Sequence, residues 1–310
     1  MAPSVSFGSL IQYTVLCLLA YILAGAPWLS SIVPGSADGN VAARGRADLN
    51  VTLSAEKAQS LVFPEEGLRC EEQGYRVHVF SREPLVLYVE DFLSGGEVEH
   101  VVRMSEPNFR PSTVWTQGHE RLDPSVRLSE KAPLARDATV KCIEERARTF
   151  QGWRPHVFVE KLWAQRYHKD GHYTYHYDWS TATPTAGRVS SFMVYLDANC
   201  TGGGTHFPRL QRPRGGEWCR FVECEADGDG DGDGDLVREG TVFKPVRGNA
   251  VFWENIGPDG SGYEESWHAG LPVKTGTKMG LNIWSWYQEG YVPQVAKRED
   301  DNVKELSGEM

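Results

Sequence analysis

The chain has no excess of positive charge: 32 Lys and Arg stand against 42 Asp and Glu, for a formal net charge of −10. Phosphate backbones are gripped by clustered cations, so no nucleic-acid surface is expected. No repeat of fixed period runs through the sequence, which sets aside solenoids and propellers. Cysteine is scarce at 6 residues, and Cys200 lacks a second Cys at finger spacing, so a thiolate metal site is not expected. Apart from one stretch, Leu10 to Leu29, long hydrophobic runs are missing too.

That stretch, LIQYTVLCLLAYILAGAPWL, carries no charge and is close to the length that spans a bilayer. Residues 1–30 therefore read as an uncleaved signal anchor. Cleavage after Ala24-Gly25-Ala26, giving a secreted protein, is the alternative, although Pro27 would follow the cut. No Lys or Arg precedes the run, and the first to follow are Arg44 and Arg46, so its orientation is weakly encoded. Sequons at Asn50-Val51-Thr52 and Asn199-Cys200-Thr201, with five cysteines beyond the run, point to a glycoprotein in an oxidising compartment. The expectation is a single-pass protein of the endoplasmic reticulum membrane with a lumenal catalytic domain. Five thiols cannot all pair within the chain, and Cys200 with Cys219 or Cys224 is the expected bridge.

Residues 31–65, rich in Ser, Gly, Ala and Asp, read as a stem, with folded structure beginning near Cys70. The domain is expected over 66–290, where 40% hydrophobic and 11% aromatic composition across the chain can bury one large core or two small ones. PLVLYVEDF reads as a strand, and Ser94-Gly95-Gly96-Glu97 has the form of a capping box opening a helix with Val98, Val101 and Val102 on one face. A second helix is expected from about Leu134 to Phe150. After Trp153 come short β-branched and aromatic segments, HVFVEKLWAQRY, RVSSFMVYL, GNAVFWEN and KMGLNIWSWY, divided by Gly and Pro. The fold class is therefore mainly β with supporting helices (α+β), built on a sandwich or double-sheet jelly roll. The segment EADGDGDGDGD resembles a calcium loop but places Arg238 or Gly240 where the bidentate Glu belongs, so 225–238 reads as a flexible acidic insertion. Residues 291–310 read as a charged tail.

The chemistry gathers in QRYHKDGHYTYHYDW. On an extended strand the spacing of His176 and Asp178 puts an imidazole and a carboxylate on one face. A distant third ligand, best supplied by His268, completes the two-His, one-carboxylate face of non-haem Fe(II) oxygenases. Lys278, ten residues further, is a cation able to hold the far carboxylate of a dicarboxylic co-substrate. Lys278, Gly280, Asn282, Trp284 and Trp286 share one parity, which makes Trp284 a candidate pocket wall.

The run Tyr167, Gly171, Tyr173, His176, Asp178, then Tyr195-Leu196, Gly202-Gly203-Gly204-Thr205-His206-Phe207-Pro208, Gly248-Asn249-Ala250, and His268-Ala269-Gly270 with Lys278, resembles the catalytic domain of prolyl 4-hydroxylases. The resemblance spans roughly 85 to 288 and is of the single-domain, non-animal type. It implies a double-stranded β-helix, or jelly roll, that binds Fe(II) and 2-oxoglutarate, uses O2, needs L-ascorbate, and hydroxylates a proline-containing peptide with release of succinate and CO2. By the same resemblance His176, Asp178 and His268 are the iron ligands, Lys278 binds 2-oxoglutarate, Tyr167 and Tyr195 line its pocket, and Trp284 lies beside the substrate peptide. The family's Gly-Gly-Glu-Thr lacks its Glu here, and Trp286 stands where collagen-type members place His. The alternatives are the same chemistry on another amino acid or a small molecule, and a non-catalytic metal- or carbohydrate-binding jelly roll. Oligomeric state is not encoded in these motifs.

Overall fold

In the computed structural model, the described residues are 53–116, 119–152, 156–179, 182–183, 185–224 and 239–291. The expected anchor at 1–30, the sequon at Asn50, the acidic insertion at 225–238 and the tail beyond Tyr291 lie outside them. Among the described residues, no helix is long and apolar enough to cross a membrane.

Among the described residues there are three α-helices: α1 (Ala55–Ser60), α2 (Gly95–Ser105) and α3 (Ala138–Phe150). Ser94 and Glu97 close the capping box of α2 reciprocally, satisfying two of its otherwise orphaned N–H groups. Glu97 also receives the Arg146 guanidinium at 2.7 and 3.0 Å, so one carboxylate both caps α2 and binds it to α3. α3 starts later than its apolar pattern suggests because Asp137 takes the N-cap position, accepting from the Val140 N–H.

Among the described residues the strands form two main antiparallel sheets and a two-stranded ribbon, Val114–Thr116 with His119–Arg121. In the larger, Ala186–Gly202 lies between Ala250–Glu254 and the C-terminal strand Val273–Gln288. Leu85–Glu90 and then Arg76–Arg82 continue beyond Ala250–Glu254, while Trp163–Tyr167 and Val157–Glu160 pair with Val273–Gln288 on its other side. The smaller sheet runs Thr241–Phe243, Thr205–Phe207, His268–Gly270, His172–His176, Arg127–Leu128. Neighbours in space are distant in sequence, as a jelly roll requires.

Side-chain alternation explains why two cores form. In Ala186–Gly202, Phe192, Val194 and Leu196 point to the helix side, meeting Val98, Val101, Val140, Ile143 and Ala147. Met193 and Tyr195 point the other way, into a cluster with Phe207 and Phe243 of the smaller sheet and with Tyr88, Val251 and Trp253. Emptying the Phe192 site by Phe192→Ala costs about 3–5 kcal/mol.

Two expectations are corrected. Residues 55–62, assigned to a stem, are helix α1 and a short strand, Leu61–Val62, paired with Val157–Glu160. So short a segment has no apolar period to read, and its place is set by pairing and by burial of Leu61 and Val62. Cys200 is free: the disulfides are Cys70–Cys142 and Cys219–Cys224. The turn Gly216–Arg220 and the bonds from Phe221 and Val222 N–H to the Trp218 carbonyl fold Cys224 back onto Cys219. The Cys200 thiol faces the Gly202 carbonyl instead.

Peptide mapping of non-reduced protein is expected to recover both pairs, with Cys200 alkylated by a thiol reagent; a bridge to Cys200 would contradict this connectivity. Cys142→Ser is expected to lower stability by about 2–4 kcal/mol, since Cys70–Cys142 closes a loop of 72 residues, and urea unfolding measures it.

Candidate metal centre

His172–His176 pairs antiparallel with His268–Gly270, and the register sets His176 directly opposite His268. Directly opposed residues share one face at close range, so the imidazole centroids stand 4.3 Å apart. Asp178 follows the strand end and brings Oδ1 to 3.7 Å from His176 Nε2. One donor atom from each of His176, Asp178 and His268 lies within 4.8 Å of the others, the one such group of His, Cys, Asp or Glu among the described residues.

The hydrogen bonds around these groups leave the right atoms open. His176 Nδ1 donates to the Thr174 carbonyl at 2.8 Å, and His268 Nδ1 donates to the Ser266 carbonyl at 2.9 Å. A carbonyl only accepts, so each Nδ1 carries a proton and Nε2 is the nitrogen left to face a cation. Asp178 Oδ2 accepts from Ser191 Oγ at 2.6 Å and Trp284 Nε1 at 3.1 Å, leaving Oδ1 for a cation. Ser191 in turn accepts from Asn255 Nδ2 at 2.9 Å.

Electrostatics agrees. Burial, then the adjacent His268, pushes the His176 imidazole down to about 3, so it is neutral. Burial alone would raise Asp178, but His268, His176, Arg188 and the Ser191 hydroxyl together hold its carboxyl below the usual range. Two imidazoles and an ionised carboxylate are the donor set that a ferrous ion takes with positions to spare. The fit is also supported inside the cavity, where Trp253 Nε1 and Asn282 Oδ1 are buried without a hydrogen-bond partner.

That cavity, about 380 Å³ including its open mouth, runs from the His-Asp-His group to Lys278. Lys278 is 1% exposed, and its Nζ donates to the Gly203 carbonyl at 2.6 Å. Among the described residues no carboxylate pairs with it, and burial pushes its ammonium down to about 8. The rings of Tyr167 and Tyr195 lie 5.3 and 5.6 Å from it, lending π faces in place of an anion. Gly203 has φ +70°, and a Cβ there would meet Val273 Cγ2 at 3.1 Å and Lys278 Cδ at 3.3 Å, so glycine is required for this loop to reach the lysine.

The structure thus gathers His176, Asp178, His268, Lys278 and Tyr167 on one cavity. Tyr195 offers Lys278 only its ring, while its hydroxyl donates to Thr205 Oγ1 at 2.9 Å within the core. Trp284 has its N–H committed to Asp178 and its ring covered by the Arg188 guanidinium at 4.0 Å. Sequence reasoning passed over Ser191, Asn255, Trp253 and Arg188. The consecutive serines in RVSSFMVYL were a signal, since Ser190 and Ser191 are fully buried in an otherwise apolar strand.

Residues 162–286 match the 2OG-Fe(II) oxygenase superfamily. They are a 2OG-Fe(II) oxygenase domain. Across a longer stretch the chain is homologous to prolyl 4-hydroxylases. It is 27% identical over 223 residues to human prolyl 4-hydroxylase subunit alpha-3, covering 68% of this chain and 35% of that one. With Arabidopsis thaliana prolyl 4-hydroxylase 5 it shares 28% over 246 residues, 76% of this chain and 78% of the relative. The chain therefore spans about a third of the length of the human relative. Among solved structures, the viral collagen prolyl hydroxylase of Paramecium Bursaria Chlorella virus-1, in its 2OG complex, aligns at 25% identity with TM-score 0.47, over 65% of this chain and 96% of that one.

In the oxygenase domain the donors to Asp178 should matter nearly as much as the ligands. Asp178→Ala is expected to abolish binding of Mn(II) used in place of iron, and Ser191→Ala to weaken it about 10-fold or more, both read by calorimetric titration. Wild-type affinity in Ser191→Ala would show that the hydroxyl does not orient the carboxylate.

Proposed function

We propose that the chain is an Fe(II)- and 2-oxoglutarate-dependent dioxygenase that hydroxylates peptidyl proline and releases succinate and CO2. The observation that carries this reading is the pairing, across one cavity, of an open His-Asp-His group with a buried lysine that no carboxylate among the described residues neutralises. A site for a metal alone has no use for Lys278. A dicarboxylic acid that chelates at one end and meets an ammonium at the other uses both. Proline as the substrate rests on the homology to prolyl 4-hydroxylases.

The chemistry supplied by bound iron with 2-oxoglutarate and O2 is oxidative decarboxylation coupled to hydroxylation of a substrate C–H bond. The protein's part is positional. Each Nδ1–H bond fixes its imidazole so that Nε2 faces the cation, and Ser191 with Trp284 fixes the carboxylate rotation of Asp178. Lys278, held by the Gly203 carbonyl, receives the remote carboxylate of the co-substrate, while Tyr167, Met193 and Thr205 close the walls and limit water. Ascorbate, as the reductant that keeps iron ferrous, belongs to the same proposal. So does a secretory, glycosylated location, which the two disulfides and the exposed Asn199 sequon support.

Mass spectrometry of proline-rich peptides incubated with the full chain, Fe(II), 2-oxoglutarate and ascorbate should show a gain of one oxygen on proline with matching succinate. Succinate without peptide oxidation would move the substrate elsewhere, and neither product from metal-loaded protein would overturn the enzyme reading. Lys278→Ala is expected to raise the 2-oxoglutarate KM by about two orders of magnitude, roughly 3 kcal/mol, with little change in metal affinity. The pH dependence has a definite sign. Lys278 is lowered to about 8, so below that pH it is already ammonium and 2-oxoglutarate affinity is flat with respect to this group. Above it, binding must take up a proton, and the apparent Kd should rise up to about tenfold per pH unit. A flat Kd between pH 8 and 10 would remove Lys278 as the carboxylate anchor.

A further inference from the structure

Helix α1 precedes the stretch that matches the oxygenase family, yet it reaches the site. Ser54 caps it through the Lys57 N–H, and its exit is fixed on the larger sheet by Lys161 N–H to the Ser60 carbonyl at 2.8 Å and by Leu61 opposite Glu160. This register delivers Lys57 Nζ to 3.2 Å from Glu160 Oε1 and to 3.6 Å from the centroid of the Trp286 ring. Glu160 is 7% exposed and is gripped from its other side by Arg188 at 2.7 and 3.0 Å. The Arg188 guanidinium lies 4.0 Å over Trp284, whose N–H holds Asp178 Oδ2. Lys57, Glu160, Arg188 and Asp178 are thus a row of alternating charge, mostly out of water, ending on the metal-facing carboxylate.

We propose that Lys57 is a positioning residue of this oxygenase: its ammonium, seated on Trp286, shares the charge of Glu160 so that Arg188 stays over Trp284 and the indole N–H stays on Asp178. The proposal rests on the metal-centre reading above. A buried carboxylate with one cation draws that cation fully toward itself; with two, each keeps part of its field for other partners. Without Lys57, Glu160 pulls Arg188 off the indole face, Trp284 gains freedom, and Asp178 loses one of its two orienting donors. The co-substrate end is untouched, because Lys278 lies six residues back along the strand, about 20 Å away. Helix α1 is then part of the working site and not a spacer in front of it.

The test uses the full chain with Lys57→Met, which keeps much of the stem over Trp286 and removes the charge, and Lys57→Gln, which keeps a polar tip. Co(II) in place of iron gives an absorption spectrum and a dissociation constant without turnover. Both variants should bind Co(II) about three- to tenfold more weakly with an altered ligand-field spectrum, and Lys57→Arg should recover wild-type values. In turnover, kcat should fall while the 2-oxoglutarate KM stays within about twofold. In a Glu160→Gln background, removing Lys57 should have no further effect on Co(II) affinity. Unchanged Co(II) affinity in both neutral variants would overturn the proposal, as would an equal loss in the Glu160→Gln background or failure of Lys57→Arg to restore. Because Co(II) binding needs no peptide, wild-type protein that binds Co(II) but oxidises no proline would fail the substrate reading and leave this one standing.

Discussion

A single sheet register holds the centre together: His176 stands opposite His268 on neighbouring antiparallel strands. Because side chains alternate faces along a strand, a slip of one residue would turn one imidazole outward and bring Tyr175 or Tyr177 to the cavity. The register is defended from both sides. The irregularity between Tyr173 and His176 lets Tyr173 stack on the His176 ring at 3.8 Å while both still face inward. On the outer side, Tyr177 packs on Trp267 and Trp179 at 4.5 Å each, and its hydroxyl donates to Glu264 at 2.6 Å. Those aromatic contacts do not touch the ligands; they stabilise the strand pairing that sets where the ligands point.

The opposite requirement governs Lys278, since a charge removed from water without a counterion is costly. The protein offsets this only in part, with one short carbonyl bond and two ring faces, and burial still holds the ammonium below its ordinary pKa. Below about pH 8 the lysine is an ammonium with no carboxylate beside it among the described residues, and an arriving carboxylate would supply the missing counterion. That incomplete satisfaction leaves the ammonium open to an anion, which is the basis of the dicarboxylate role proposed for it. A fully paired lysine would make the fold more stable and the site useless.

Much of this was legible in the sequence because it is local or periodic. The triad was readable from the spacing of His176 and Asp178 with His268 beyond, Lys278 from its distance past His268, and the jelly roll from short apolar segments divided by Gly and Pro. The capping box at Ser94 and Glu97 was readable for the same reason: four adjacent residues carry it. What escaped depends on pairs far apart in the chain. Trp284 donates to Asp178 across 106 residues, and an aromatic that reads as a pocket wall turns out to hold a ligand in place. The free Cys200 escaped because proximity in sequence offers it either Cys219 or Cys224, whereas the turn at Gly216–Arg220 pairs those two with each other. Helix α1 escaped because six residues with no buried side chain have no pattern at all.

The strand Val273–Gln288 acts as a ruler for the site. Lys278 and Trp284 lie on its cavity face, while Met279, Leu281 and Ile283 lock the other face into the helix-side core. Neither end can move relative to the other without unpacking that core, so the distance from co-substrate anchor to metal-facing carboxylate is a property of the backbone. Beyond that spacing the strand carries Trp286, whose ring takes the Lys57 ammonium at 3.6 Å. The contact with helix α1 and the bond from Lys278 to the Gly203 carbonyl are therefore made at different ends of one rigid strand.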